Sequence, residues 1–94
     1  MLFKAYDMIT IERPNNLEDF KQISILHKNY LKTGFISSLG EKFLITLYNH
    51  INNFPSSFCF VVKNNDKVIG FISGAENLSK LYKSFIKNNL FRVY

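Results

Sequence analysis

Phe58-Cys59-Phe60-Val61-Val62 is the feature that most restricts how this chain can fold. An unbroken apolar run within 57–63 reads as a strand covered on both faces, and so as a central strand of a sheet. Asn64-Asn65-Asp66 follows as a turn, because Asn and Asp tolerate positive φ. Residues 67–73 return as a partner strand carrying Val68, Ile69, Phe71 and Ile72, and Gly70 within it marks a bulge or a close backbone approach. A hairpin with a buried strand needs other elements packed on it, so the remaining sequence must supply that cover.

It does so on both sides of the hairpin. Met8-Ile9-Thr10-Ile11-Glu12 alternates and predicts a first strand over 8–12, stopped by Pro14. A helix over 16–32 follows, capped by Asn15 or Asn16, with Glu18 and Asp19 in the first turn where the helix dipole favours acids. Its apolar face holds Phe20, Ile23, Leu26, Tyr30 and Leu31, and Gly34 ends it. Ser38 with Glu41 three residues on has capping-box spacing and predicts a second helix over 38–52. Phe43, Leu44, Leu47, Tyr48 and Ile51 form the stripe that lays it on a sheet, and Asn52-Asn53-Phe54-Pro55 breaks it. After the hairpin, Leu78, Leu81, Tyr82, Phe85 and Ile86 recur at helical spacing, predicting a third helix over 78–90 with Lys80, Lys83 and Lys87 opposite. The predicted order is β-α-α-β-β-α. This is an α+β chain of α/β sandwich type, a single domain over 1–94, with a small antiparallel sheet and two helices on one face.

Composition agrees with a packed globule. Of the 94 residues 47% are hydrophobic and 16% aromatic, which excludes a disordered chain. No run approaches the roughly 20 apolar residues of a membrane span. Lys4 and Asp7 interrupt the N-terminal apolar stretch, so it lacks the core of a signal peptide. One cysteine excludes an internal disulfide, and the expectation is a cytoplasmic protein. The net charge is +5, of which Lys80, Lys83, Lys87 and Arg92 contribute four, with no acid after Asn77. Basicity therefore belongs to the segment after Asn77, which holds the last helix. Such a helix can lie on an anionic membrane or meet nucleic acid, but lysines opposite a Leu/Tyr/Phe face are ordinary for a surface helix. Neither a nucleic-acid partner nor a membrane span is expected.

Few residues carry chemistry by their spacing. His27 projects among apolar residues of the first helix and reads as a core histidine, with no Ser, Cys or carboxylate placed beside it as a catalytic partner. His50 reads as a solvated residue near a helix C-terminus, Cys59 as a buried inert thiol, and Glu76 as a solvated loop acid. Two His and one Cys give no metal-ligand spacing.

Three segments, in this order, resemble the N-terminal half of GNAT-type (Gcn5-related) N-acetyltransferases: Ile11-Glu12-Arg13-Pro14, Thr33 to Gly40 (TGFISSLG), and Lys67 to Gly74 (KVIGFISG). The likeness spans about residues 8–76. It implies a domain that transfers acetyl from acetyl-CoA to a primary amine of a small molecule or peptide. It also implies that Phe35, Ile36 and Ser37, in the loop between the first two helices, line the acceptor groove. The family's cofactor loop, Q/R-x-x-G-x-G/A leading into a helix N-terminus that holds the CoA pyrophosphate, has no counterpart around Gly34, Gly40, Gly70 or Gly74. The resemblance thus implies an acceptor-side portion of a longer domain, inactive alone and binding no acetyl-CoA by itself. In the family the strand matching 67–73 pairs with a further strand. Its edge here leaves two alternatives open: pairing with a second copy or another chain, as a non-enzymatic assembly module, or cover by the last helix.

Overall fold

The computed structural model describes residues 8–31 and 36–89. The elements are β1 (Ile9–Glu12), α1 (Leu17–Tyr30), a 3₁₀ turn (Ile36–Leu39), α2 (Glu41–Asn53), β2 (Ser57–Asn64), β3 (Lys67–Ala75) and α3 (Leu78–Asn89). The predicted order and the α+β class hold. The sheet is antiparallel in the order β1-β2-β3, so the apolar run is indeed the central strand.

The hairpin turns on Asn65 and Asp66, at φ of 52° and 69°, with Asn64 paired to Lys67. Two positive-φ residues in a two-residue loop match the right-handed twist of the flanking strands. Val62 pairs with Gly70 and Lys63 with Val68, so Ile69 is the extra residue of a bulge beside Gly70.

The strand is not covered on both faces. In β2, Ser57, Cys59, Val61 and Lys63 are buried, while Phe58 is exposed and Phe60, Val62 and Asn64 are half-buried. Both long helices lie on the first face, where Phe20 and Ile23 of α1 and Leu44, Leu47, Tyr48 and Ile51 of α2 join Cys59, Val61 and Val68 in one core. The other face of the sheet carries Ile11 (72% exposed), Ile72 (59% exposed), Ile9, Phe58, Phe60 and Val62. The ring of Phe58 lies over Gly74, where an added Cβ would come within 2.7 Å of it, and the Arg13 guanidinium sits 5.9 Å from the Phe60 ring centroid. An unbroken apolar run cannot distinguish a two-sided strand from one whose second face is apolar and open.

Two helix boundaries also differ from expectation. The cap of α1 is Asn16, whose Oδ1 accepts from the Asp19 N–H at 2.8 Å, while the Asn15 N–H donates to Asp19 Oδ2 at 3.1 Å. The helix stops at Tyr30, and Leu31 (not Gly34) occupies its C-cap; Gly34 lies outside the described residues. Tyr30 and Leu31 are exposed, so the buried stripe of α1 runs through Phe20, Ile23, Ser24 and His27 instead. Ser38 does not cap α2. The chain makes a 3₁₀ turn there, and Gly40 takes the cap position at φ 94° with no side-chain cap bond. A backbone at that φ favours glycine, and it overrides the capping-box spacing.

Asp19 does more than cap. Its Oδ1 lies 3.0 Å from Lys63 Nζ, and Glu12 Oε1 lies 3.4 Å from the same nitrogen. Lys63 and Asp19 are both buried. This ion cluster ties the start of α1 to β1 and β2. Burial acts to lower the Lys63 pKa, and bonding and attraction to Asp19 and Glu12 outweigh it, for a net rise. On the far side of α1, Gln22 Oε1 accepts from the Val68 N–H at 2.7 Å, holding the helix over β3. The Ser57 hydroxyl donates to the Ile51 carbonyl at 2.6 Å, joining the end of α2 to the start of β2.

The third helix is capped by Asn77, whose Oδ1 accepts from the Lys80 N–H at 3.0 Å. It buries Leu81 and Phe85. Phe85 meets Phe43 and His50 of α2 edge-on, with ring centroids 5.5 Å away in each case. The helix thus packs on α2, and β3 is the outer strand of the sheet, with no further strand beside it among the described residues.

Candidate functional site

His27 and Tyr48 form the most chemically distinctive pair in the fold. Ile23 and His27 are one helical turn apart on the buried stripe of α1, and Leu44 and Tyr48 on that of α2. Antiparallel packing of the two helices brings His27 Nδ1 to 2.7 Å from Tyr48 Oη in a buried hydrogen bond. The Tyr48 ring meets Phe71 of β3 edge-on at 5.2 Å, which fixes its orientation. Burial lowers the His27 pKa from its ordinary 6.5. Burial, reinforced by Cys59 and Tyr82, pushes the Tyr48 phenol up to about 12. Both groups are therefore neutral at pH 7, and they share one proton along the Nδ1–Oη line.

The pair lines a pocket of about 160 Å³, closed by Leu47 and Ile51 of α2, Ser73, Gly74 and Ala75 of β3, and Leu78, Leu81 and Tyr82 of α3. Leu78 and Tyr82 are both exposed, so the pocket has an approach from solvent along α3. Its polar groups come from His27, Tyr48, Ser73 and Tyr82; among the described residues no acid, lysine or arginine lines it. A shallower apolar groove of about 320 Å³ lies between the end of α1 and the outer edge of β3, lined by Leu26, Tyr30, Leu31, Ile69, Gly70 and Phe71.

Of the residues expected at an acceptor loop, Phe35 lies outside the described residues, as do Thr33 and Gly34. The backbone of Ile36 and Ser37 opens the 3₁₀ turn that leads through Gly40 into α2. Glu76 is exposed at the end of β3, as expected for a solvated loop acid, and its N–H donates to the Ser56 carbonyl at 2.9 Å. Cys59 is fully buried, and burial raises its pKa to about 11, so it is an inert thiol as expected. His50 is not the solvated residue expected. It stacks on Phe54 at 5.7 Å, its Nε2 is buried without a hydrogen-bond partner, and burial lowers its pKa. No group of three His, Cys, Asp or Glu suited to a metal occurs among the described residues, and no helix there is long and apolar enough to cross a membrane.

Sequence spacing missed the His27–Tyr48 pair because the two residues are 21 positions apart and on different helices. The available signal was that His27 falls on the same helical face as Phe20 and Ile23, so a buried polar ring there requires a partner. The Lys63–Asp19 pair was likewise legible only through the two-residue period that places Lys63 on the face of Cys59 and Val61. Compared with family models, curated proteins and solved structures, this chain matches none.

Proposed function

We propose that this chain is the acceptor-side portion of a GNAT-like N-acetyltransferase, transferring acetyl from acetyl-CoA to a primary amine. The observation that carries the reading is the outer edge of β3. Its strand contains the KVIGFISG segment, and among the described residues it is the last strand of the sheet, on the side where that family adds a further strand. The element order and the two helices on one face of an antiparallel sheet support it. So does the groove between β3 and the C-terminal end of α1. In such a domain the protein mainly aligns the amine with the thioester and removes a proton from it. Ile36 and Ser37, with Phe35, are the acceptor-side contacts of this proposal, and the cofactor is held by residues not among these 94.

Amide NMR of the chain titrated with spermidine and with a lysine-containing peptide tests this. Saturable shifts confined to residues 36–40 and the Leu26–Leu31 end of α1 are expected. Shifts scattered over the whole surface, or none at all, overturn it.

A second reading, a non-enzymatic assembly module that pairs through the 67–73 strand edge, is favoured by the open apolar sheet face continuous with that edge. Adding a strand satisfies unpaired backbone groups and buries alternate side chains. A stable dimer in light scattering, lost on introducing proline at Ile69, supports it; a monomer at all concentrations overturns it.

A further inference from the structure

We infer that the pocket over the His27–Tyr48 pair is a binding site for a small neutral ligand with an apolar body and an amide or hydroxyl head. The inference does not depend on the acetyltransferase reading, because the pocket lies inside the described fold and has walls of its own.

Hydrogen-bond accounting at the pair sets the head group. Nδ1 and Oη lie 2.7 Å apart, so one proton lies between them. If Tyr48 donates it, the imidazole carries its remaining proton on Nε2, and Oη keeps a free lone pair. If His27 donates it, the phenol proton is free and Nε2 becomes an acceptor. In both arrangements the pair is left with one donor and one acceptor to offer. A ligand head that both gives and accepts a hydrogen bond satisfies either arrangement; a carboxylate or an ammonium satisfies only half. The described residues of the lining include no charged side chain, which points the same way, since a buried ion without a counter-charge is strongly disfavoured.

The walls set the size. Leu47, Ile51, Leu78, Leu81 and Ala75 present hydrocarbon, and 160 Å³ compares with the roughly 150 Å³ apolar cavity known to take a six-carbon ring. A ligand of about six heavy atoms therefore fills the space. Entry runs past the exposed Leu78 and Tyr82.

Butyramide is the probe, with butylammonium and butyrate as charged controls of the same length. NMR titration of the intact chain should give saturable shifts of the His27 imidazole and of the Ser73 and Ala75 amides with butyramide, at a Kd on the order of millimolar for so small a ligand. Both controls should bind at least tenfold more weakly. Tyr48→Phe removes one hydrogen-bonding group and should weaken butyramide binding by about tenfold. Ser73→Val keeps a strand-compatible residue and places methyl groups in the pocket, so it should abolish binding while the amide spectrum elsewhere is retained. Three results would overturn the inference: no saturable shift at tens of millimolar, unchanged affinity in the Ser73→Val chain, or tighter binding of butylammonium than of butyramide. The last of these would leave the amine-acceptor reading intact while refuting this one.

Discussion

Replacing Asp19 by Asn strands a buried lysine, and the cost is calculable. Lys63 Nζ has two anionic neighbours, Asp19 at 3.0 Å and Glu12 at 3.4 Å. The side chains of Lys63 and Asp19 are only 9% and 3% exposed, whereas that of Glu12 is 38% exposed. Asp19 is therefore the neighbour whose attraction water screens least. Breaking a buried pair from one side costs about 3–5 kcal/mol, because the remaining charge is left without compensation. Asp19→Asn keeps an acceptor for the Asn15 N–H, so the change isolates the charge, and Glu12 offsets part of the loss. We expect about 3 kcal/mol. A domain of this length has roughly 5–14 kcal/mol of stability in all. The loss should lower Tm by roughly 12–24 °C at 4–8 °C per kcal/mol. Lys63→Met alone leaves the buried carboxylate unpaired and should cost a similar amount. The double variant removes both charges and should return to within about 1 kcal/mol of the parent. Urea unfolding followed by far-UV circular dichroism on the four proteins gives the coupling energy. Additive losses in the double variant would refute the claim that Lys63 and Asp19 act as one buried unit.

Four further outcomes follow from the same structure. His27 and His50 both have pKa values lowered by burial from 6.5, so the unfolded chain binds more protons than the native one below that pH. Their contribution to stability is complete above about pH 6.5 and is lost as pH falls below it, which urea midpoints between pH 7.5 and 4.5 will register. At the alkaline end the sign reverses. Cys59 and Tyr48 are raised from 9.0 to about 11 and from 10.0 to about 12, so their contribution is complete below pH 9 and disappears as pH rises through 12. Gly40→Ala places a Cβ at φ 94° and should cost about 1–2 kcal/mol in thermal melts even though nothing lies within 4 Å of that Cβ. Ile72→Lys, in the middle of the open sheet face, should leave the melting temperature within about 2 °C and reduce self-association in light scattering; unchanged association would show that this face is not where the chain adheres.

The hairpin, its turn and the element order were legible because each rests on local chemistry. Asn65 and Asp66 tolerate the φ values the turn demands, and Gly70 adjoins the bulge it suggested. What escaped was decided between elements. The second face of β2 is open because all of the core-forming helix surface in α1 and α2 goes to the first face, a choice that no five-residue run encodes. The start of α2 went wrong because Ser38 and Glu41 satisfy a side-chain rule while the backbone at Gly40 satisfies a different one. The partners of His27 and Lys63 lie 21 and 44 positions away in sequence, counting His27 to Tyr48 and Lys63 to Asp19. Their buried polar groups required partners, but only the packing of α1 on α2 and on the sheet selected which.

The proposed division between an acceptor side and a cofactor side is tested most directly by isothermal calorimetry of acetyl-CoA against this chain alone. The account predicts heats of dilution and nothing more, since none of the four glycines in the sequence belongs to a Q/R-x-x-G-x-G/A loop of the kind that receives the pyrophosphate. Saturable binding at micromolar concentration would contradict it, by placing the cofactor on residues that carry none of the family's means of holding it.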